Sequence, residues 1–355
     1  MSDGAMAPRA ELSPGYSIAQ VINGCWQLTP DHGGGLQDRG AVFAIFDELI
    51  EHGFTTFDGA DIYTGVESLL GAYRSRLADP HGIQIHTKYV PDRAALETLR
   101  PQDVHAAIDR SRRRLGMDSL DLVQFHWWRY EVPGVEMVLE CLQEAQARDH
   151  VRLLGLTNFD TAHVRKMLDD GAPIVSLQSQ YSLLDRRPER AMTSLAEKSS
   201  LKLVPYGVLA GGFLTDRYRG VVASASQANR SLTKYRLIIE EAGGWDAYQG
   251  LLELLHEIAA ANQVSIAAVA ARWVLEQPCV AAIMLGVGSR SRAKENLDIA
   301  VLELAEDERR ALQAALAARP VPPGDMFDLE RDPAGRHARI MKTDLNAGAP
   351  DGAPS

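Results

Sequence analysis

Apolar and polar positions along the chain fall into two alternating rhythms. Short runs rich in β-branched and other apolar residues recur as VINGCW, TTFDGA, IQIHTKY, LDLVQFHW, VRLLGLTNF, IVSLQSQY, KLVPYGV and VAAIMLGVG. Their length and composition predict eight strands. Between them, apolar residues return every three or four positions, which predicts helices over 38–52, 101–115, 134–148, 160–170 and 188–200. Pro101, Asp160 or Thr161, and Pro188 stand where helices start. Gly53, Gly116 and Gly171 fall just past an apolar period, where a left-handed C-cap wants glycine.

Strand–helix alternation implies parallel strands joined by crossover helices, and eight repeats predict an α/β fold of the (β/α)8 TIM-barrel type. An open doubly wound sheet is the alternative. After the seventh strand the rhythm breaks: Gly211 to Gly244 reads as a polar Gly/Ser/Arg-containing loop, followed by two helices, WDAYQGLLELLHEIAAANQ and SIAAVAARWVLEQ, before strand eight. Ordinary connections are much shorter, so this insertion points to function. EDERRALQAALAA (306–318) predicts one more helix. Residues 1–17 are expected to be flexible, 18–318 to form one barrel domain, and 319–355 to be a C-terminal extension. Its last stretch, NAGAPDGAPS, is expected to be disordered.

Composition narrows the partners. The chain has 355 residues, a formal net charge of −10 and no block of lysine and arginine, which argues against nucleic acid or an anionic membrane surface. No run reaches membrane-spanning length and the first residues carry no apolar leader core, so a cytoplasmic setting is expected. Cys25, Cys141 and Cys279 lie far apart, without the spacing of a disulfide framework or zinc site, and the histidines show no metal-binding spacing. No metal is expected.

In a barrel, residues at the C-terminal strand ends converge on one mouth. Here those ends carry Asp58, Lys88, His126, Thr157–Asn158, Gln178 and Tyr206. Taken singly, each has an ordinary structural reading: a helix cap, a solvated lysine, a hydrogen-bonded core histidine. Together they ask for a common cause. Asp58 and Lys88 come from neighbouring strands and can pair, and Tyr63 lies on the loop over the same mouth. A phenol is a poor acid at neutral pH, and an ammonium beside it is expected to lower its pKa. Such a phenol could protonate a carbonyl oxygen becoming an alkoxide, with His126 orienting the carbonyl or helping to move the proton. The electrons must then come from a bound organic cofactor. Asn158 and Gln178 offer amides to a carboxamide, and Tyr206 offers a face for ring stacking. Gly286 and Gly288, then Ser289, Arg290, Arg292 and Lys294 at a helix start, make an anion site after strand eight, where barrels commonly bind phosphate. GVGSRS is not a G-x-G-x-x-G fingerprint, so a Rossmann domain is not expected.

At this point the motifs resemble the aldo-keto reductase family. FDGADIYTGVESLLG is similar to its Asp…Tyr signature, HTKY to its lysine segment and LDLVQFH to its histidine segment. LGLTNF, LQSQYSLLDR, VPYGVLAGGFLT and GVGSRSRAKENL resemble its later strand ends and C-terminal cofactor loop, in collinear order over about 20–318. Thr64 departs from its Tyr-Gly pattern. The resemblance implies a catalytic tetrad of Asp58, Tyr63, Lys88 and His126, with Tyr63 as general acid. It implies a nicotinamide cofactor near Gly24, Cys25, Trp26, Asp58 and Thr157, with Asn158 and Gln178 on the carboxamide, Tyr206 and Gly207 at the ring, and backbone at Leu209, Gly211 and Phe213 on the pyrophosphate. Gly286, Gly288, Ser289, Arg292, Glu295 and Asn296 would hold the adenosine end. Arg292 facing a 2′-phosphate would favour NADPH/NADP over NADH. Trp26, Tyr63, His126, Trp127 and Trp128 are expected to line the substrate site, and the partner is a small carbonyl or alcohol. Two other readings stand beside this one: a cofactor-sensing partner protein similar to potassium-channel β-subunits, and a metal-dependent barrel hydrolase using Asp58 and His126.

Overall fold

The computed structural model describes residues 6–30, 38–224 and 229–346; the stretch beyond Asn346 lies outside them. Eight parallel strands run in chain order around a barrel: β3 (Val21–Gly24), β4 (Thr56–Asp58), β5 (Gln84–Tyr89), β6 (Leu120–Phe125), β7 (Val151–Thr157), β8 (Ile174–Gln178), β9 (Lys202–Leu203) and β10 (Ile283–Gly286), with β10 returning to pair with β3. The ring closes between β9 and β10 through Ala281 N to Leu203 O at 3.0 Å and Met284 N to Pro205 O at 2.8 Å. This is the (β/α)8 barrel rather than the open sheet. Each predicted strand is present. The helices packed outside are α1 (Arg39–Glu51), α2 (Val66–Arg74), α3 (Pro101–Leu115), α4 (Val135–Ala147), α5 (Thr161–Asp169), α6 (Met192–Ser199), α9 (Ile266–Leu275) and α10 (Ala293–Val301). α11 (Glu306–Ala317) follows. The predicted stops hold: Gly53, Gly116 and Gly171 all have positive φ.

Strand periodicity sorts the core. Val21, Phe57, Ile85, Val123, Phe125, Leu154, Leu156, Leu177 and Ile283 face the helices and belong to the large outer cluster. Alternate positions face inward. At the floor these are Ile22, Leu122, Val204 and Ala282. Higher up they are polar: His86, Lys88, Asp58, Gln124, His126, Ser176 and Gln178, all buried. Gly155 makes room for them, since a Cβ there would sit 2.7 Å from Ser176 Oγ and 3.4 Å from Gln124 Cγ.

Three segments differ from expectation. The expected flexible 1–17 contains a hairpin, β1 (Arg9–Ser13) and β2 (Tyr16–Ala19), under the barrel. It is ordered because Leu12, Tyr16 and Ile18 join the apolar floor cluster and Tyr16 Oη meets His86 Nε2 at 3.2 Å. The polar stretch before Gly244 contains α7 (Arg230–Glu241), capped by the Asn229 side chain on Leu232 N and held by buried Tyr235, Ile238 and Ile239; α8 (Gly244–Asn262) follows. The C-terminal extension is a strap. It leaves α11, is held by Arg190 on the carbonyls of Val321, Pro322 and Gly324, and forms α12 (Asp328–Arg331) over the mouth. Arg336 then pairs with Glu240 and Glu241 of α7, and Asn346 meets Val90 O and Asp92 after β5. Among the described residues no single helix is long and apolar enough to cross a membrane.

Candidate active site

Asp58, Lys88, Gln124 and Gln178 form one buried hydrogen-bonded unit inside the mouth. The Lys88 ammonium donates to Asp58 and, at 2.8 Å, to Gly59 O. The other carboxylate oxygen of Asp58 accepts from Gln124 Nε2 at 2.9 Å and Gln178 Nε2 at 3.0 Å. Three donors on one carboxylate fix it, and through it the ammonium. Lys88 Nζ lies 5.0 Å from the ring centroid of Tyr63, and the indole of Trp26 leans on the same phenol at 4.7 Å.

The Tyr63 pKa is raised rather than lowered. Burial, with the Asp58 charge next, holds the phenol well above its ordinary value and outweighs the ammonium over its ring. Tyr63 is therefore a protonated O–H donor at neutral pH.

His126 sits at the end of β6 with its imidazole only 2 % exposed. Its Nδ1 lies 3.1 Å from Thr157 O, so Nδ1 carries the proton and Nε2 is left as a bare lone pair with no partner. Burial, helped by the Arg331 charge and opposed by the Thr157 contact, lowers its pKa to about 3. His86, below it, is lowered to about 4 by burial. Both are neutral in the folded chain and protonate in the unfolded chain below about pH 6.5, so stability is flat above that pH and falls on acidification. The expected slope is roughly 1.4 kcal/mol per pH unit per histidine between about pH 6 and pH 4. Chemical denaturation at stepped pH, with His86→Phe as the control that halves this contribution, measures it.

The two tryptophans after His126 part company. Trp128 stands edge-on to His126 at 4.4 Å and anchors its indole N–H on Pro91 O at 2.8 Å, so it lines the mouth. Trp127 does not: it is fully buried against Phe125, with its N–H on Arg129 O and Val132 O. Consecutive residues leaving a strand point to opposite faces, and Trp127 takes the helix side.

This pattern of strand ends is matched by the profile of the aldo/keto reductase family over residues 20–317. The chain belongs to the aldo/keto reductase family. It is 27% identical over 308 residues to Protein tas of Escherichia coli, covering 76% of this chain and 88% of that protein. It is 26% identical over 212 residues to the NADH-specific methylglyoxal reductase of Escherichia coli, a match spanning 59% of this chain and 62% of that protein's length. Among solved structures, an aldo/keto reductase from Klebsiella pneumoniae in complex with NADP and acetate superposes with a TM-score of 0.66 at 21% identity, over 90% of this chain and 98% of that one.

The remaining expected residues of this aldo/keto reductase divide into available and occupied groups. Asn158, with φ 62, accepts from Tyr206 Oη at 2.8 Å through its Oδ1, which leaves its amide N–H free among the described residues. Gln178 spends its amide N–H on Asp58 and on Gln124 Oε1 at 3.0 Å, leaving its oxygen. One free donor and one free acceptor match what a carboxamide needs. Burial, then Glu330, holds the Tyr206 phenol well above its usual value, so it keeps the proton it donates to Asn158. After β10, Ser289 and Arg292 are exposed, Arg290 pairs with Glu295 at 2.7 Å, and Asn296 is buried at the first turn of α10. No carboxylate lies within 4.0 Å of Arg292 among the described residues, and the Ser291 hydroxyl accepts from Ala293 N at the first residue of α10. Gly286 is overlain by the Gln27 side chain, and Gly288 lies beside it.

Other expected contacts are occupied by the protein. Gly24 and Cys25 are buried; the Cys25 N–H donates to Asp58 O and its thiol points at Asn23 O. Thr157 gives its carbonyl to His126. Gly207 and Gly211 lie under Tyr235 of α7, where a Cβ at Gly211 would come within 2.6 Å of the ring. Phe213 is buried, with its carbonyl on Tyr248, and Leu209 is half-buried beside it.

Sequence reasoning missed the residues that the strap brings. Phe327 stands edge-on to His126 at 5.3 Å. Arg331 donates to Trp127 O and Asn158 O, both at 2.8 Å. Glu330 pairs with Lys234 of α7 at 3.1 Å and with Arg187 at 3.3 Å. The available signal was the apolar pair Met326–Phe327, one of two such pairs, with Ile340–Met341, in the tail.

Proposed function

We propose that this chain is a nicotinamide-dependent carbonyl reductase, working on a small aldehyde or ketone and, in reverse, on the corresponding alcohol. The observation that carries the reading is the buried Asp58–Lys88 pair held under the Tyr63 ring, beside a neutral His126. Bound against Tyr206, Asn158 and Gln178, a reduced nicotinamide would supply hydride. Tyr63 donates its proton to the substrate oxygen as negative charge develops there; an alkoxide is far more basic than a phenolate, so the proton moves downhill even from a raised pKa. Lys88, fixed by Asp58, steadies the phenolate left behind. Asp58 is itself fixed by Gln124 and Gln178. The His126 lone pair is an acceptor: it would meet a hydroxyl hydrogen, either that of Tyr63 or that of the alcohol, which suits the proton-moving one of its two expected roles. Trp26, Tyr63, His126 and Trp128 enclose the reacting carbon with apolar and aromatic surface.

The phosphate end of the dinucleotide falls to the loop after β10. Arg292, at the start of α10 and with no carboxylate partner among the described residues, favours NADPH, and the NADP bound by the Klebsiella structure is in keeping with that. The NADH-specific relative makes this preference the finer part of the proposal. Arg292→Ala is expected to weaken NADPH binding by about 10- to 100-fold, the loss of one charge-assisted hydrogen bond to phosphate, with NADH nearly unchanged. Fluorescence titration with both cofactors checks it, and equal weakening would place the 2′-phosphate elsewhere.

A screen of aldehydes, ketones and alcohols, followed by nicotinamide absorbance with both cofactors and in both directions, tests the reaction itself. Binding without turnover on any compound would favour the partner-protein reading.

A further inference from the structure

The C-terminal strap closes the reaction centre and is held shut by charge. Phe327 covers His126 from above and Trp128 covers it from the side, and between them Nε2 is buried with no partner among the described residues. The strap is not a loose tail lying on the surface. Asp185, Arg187, Glu330 and Lys234 form a chain of two negative and two positive groups from three segments: the loop after β8, the strap and α7. Arg187 meets Asp185 at 2.7 Å and Glu330 at 3.3 Å, and Lys234 meets Glu330 at 3.1 Å. Asp185, Arg187 and Glu330 are essentially buried and Lys234 is 13% exposed. Burial alone would raise the Glu330 pKa, but Lys234 and Arg187 outweigh it and hold it at about 2, so the pair is ionic throughout.

Lys234 has a second position to guard. Its ammonium lies 5.3 Å from the ring centroid of Tyr206 and 5.7 Å from that of Phe327. The same cation thus ties the covering ring of the strap to the aromatic platform of the site. Gly324 and Phe327 both have left-handed backbone, φ 78 and φ 64, so the segment turns sharply at its base and again at the ring that seals the mouth. For a residue with a side chain, that conformation is held by its surroundings, and release of the contacts would relax it.

We propose that residues 324–331 are a latched lid: Phe327 seals His126, and the Glu330–Lys234 ion pair is the latch that parts before a carbonyl compound reaches the mouth beside it. The lid regulates the site described above and rests on reading His126 as part of the reaction centre. Its opening frees the Tyr206 face at the same time, because Lys234 serves both contacts.

The test needs no cofactor and no turnover. Diethylpyrocarbonate acylates neutral imidazole nitrogen, and peptide mass spectrometry reads each histidine separately. Exposed His81 is the internal reference. In the unaltered protein His126 should react at least about tenfold more slowly than His81, since the reagent waits for local opening. Glu330→Gln should raise the His126 rate about tenfold or more and leave His81 unchanged, with faster amide exchange over 326–332 and none over β6. Phe327→Ala leaves the four charges in place and should unseal His126 by itself, which keeps the test sound if Glu330→Gln folds poorly. Fast labelling of His126 in the unaltered protein overturns the proposal. So do unchanged rates in both variants, or a rise matched by equal loss of protection in β6. A protein that fails the substrate screen but passes this test would defeat the reductase reading and leave the lid standing.

Discussion

Replacing Tyr63 with phenylalanine is expected to lower turnover by about 10²- to 10⁴-fold while cofactor affinity stays within about twofold, because a positioned general acid is worth roughly that much and the ring itself remains. The phenol is held above its ordinary pKa by burial and by Asp58, and this adds a second signature. Reduction should persist through about pH 10, where an ordinary tyrosine would lose its proton, and no inflection should appear near pH 6.5 because His126, lowered to about 3, stays neutral. Steady-state kinetics of both enzymes across that range, with cofactor titrations alongside, decide it. An equal loss in turnover and in cofactor binding would mean that the phenol holds the dinucleotide rather than moving a proton.

Asp58→Asn is expected to be the most destabilising single change in the site. It removes the negative charge beside the Lys88 ammonium, 5% exposed, and turns an amide NH2 either toward that ammonium or toward the Gln124 and Gln178 donors. Breaking a buried ion pair from one side costs about 3–5 kcal/mol, whereas removing both charges often costs little. Asp58→Asn combined with Lys88→Met should therefore unfold at a higher denaturant concentration than Asp58→Asn alone, although both are inactive. Matched urea unfolding of the unaltered protein, the two single variants and the double variant gives the coupling directly. Additive losses would show that the two charges do not depend on one another for burial.

Much of the fold was readable because its signals are local. A buried parallel strand is a short apolar run, and the eight runs here are separated by clear helical periods. The same two-residue alternation that hides Phe57, Val123 and Leu177 among the helices turns Asp58, Gln124 and Gln178 into the barrel, so the polar strand ends could be assigned to one mouth from sequence. The Tyr206–Asn158 contact and the choice between Trp127 and Trp128 could not. Both depend on where a chain leaves its strand, and two adjacent tryptophans look alike on paper.

The misread segments are those whose order is set by distant partners. RAELSPGYSIA alternates, but too irregularly to stand out, and the hairpin is fixed by reaching Ile22, Leu122 and Val204 from below and by the Tyr16–His86 contact. Within α7, Tyr235, Ile238 and Ile239 keep helical spacing behind a polar start, and the intrinsic signal is weak until Gly207 and Gly211 let Tyr235 close on them. DLER carries three charges in four residues and reads as solvated coil. It is buried because Arg187 and Lys234, far away in sequence, supply opposite charges for Glu330.

The hairpin under the barrel has one more effect. With Tyr16, Ile18 and Leu12 stoppering the far end, the buried polar layer above them has an apolar seal beneath it, and its ionisable groups are shielded from water on that side.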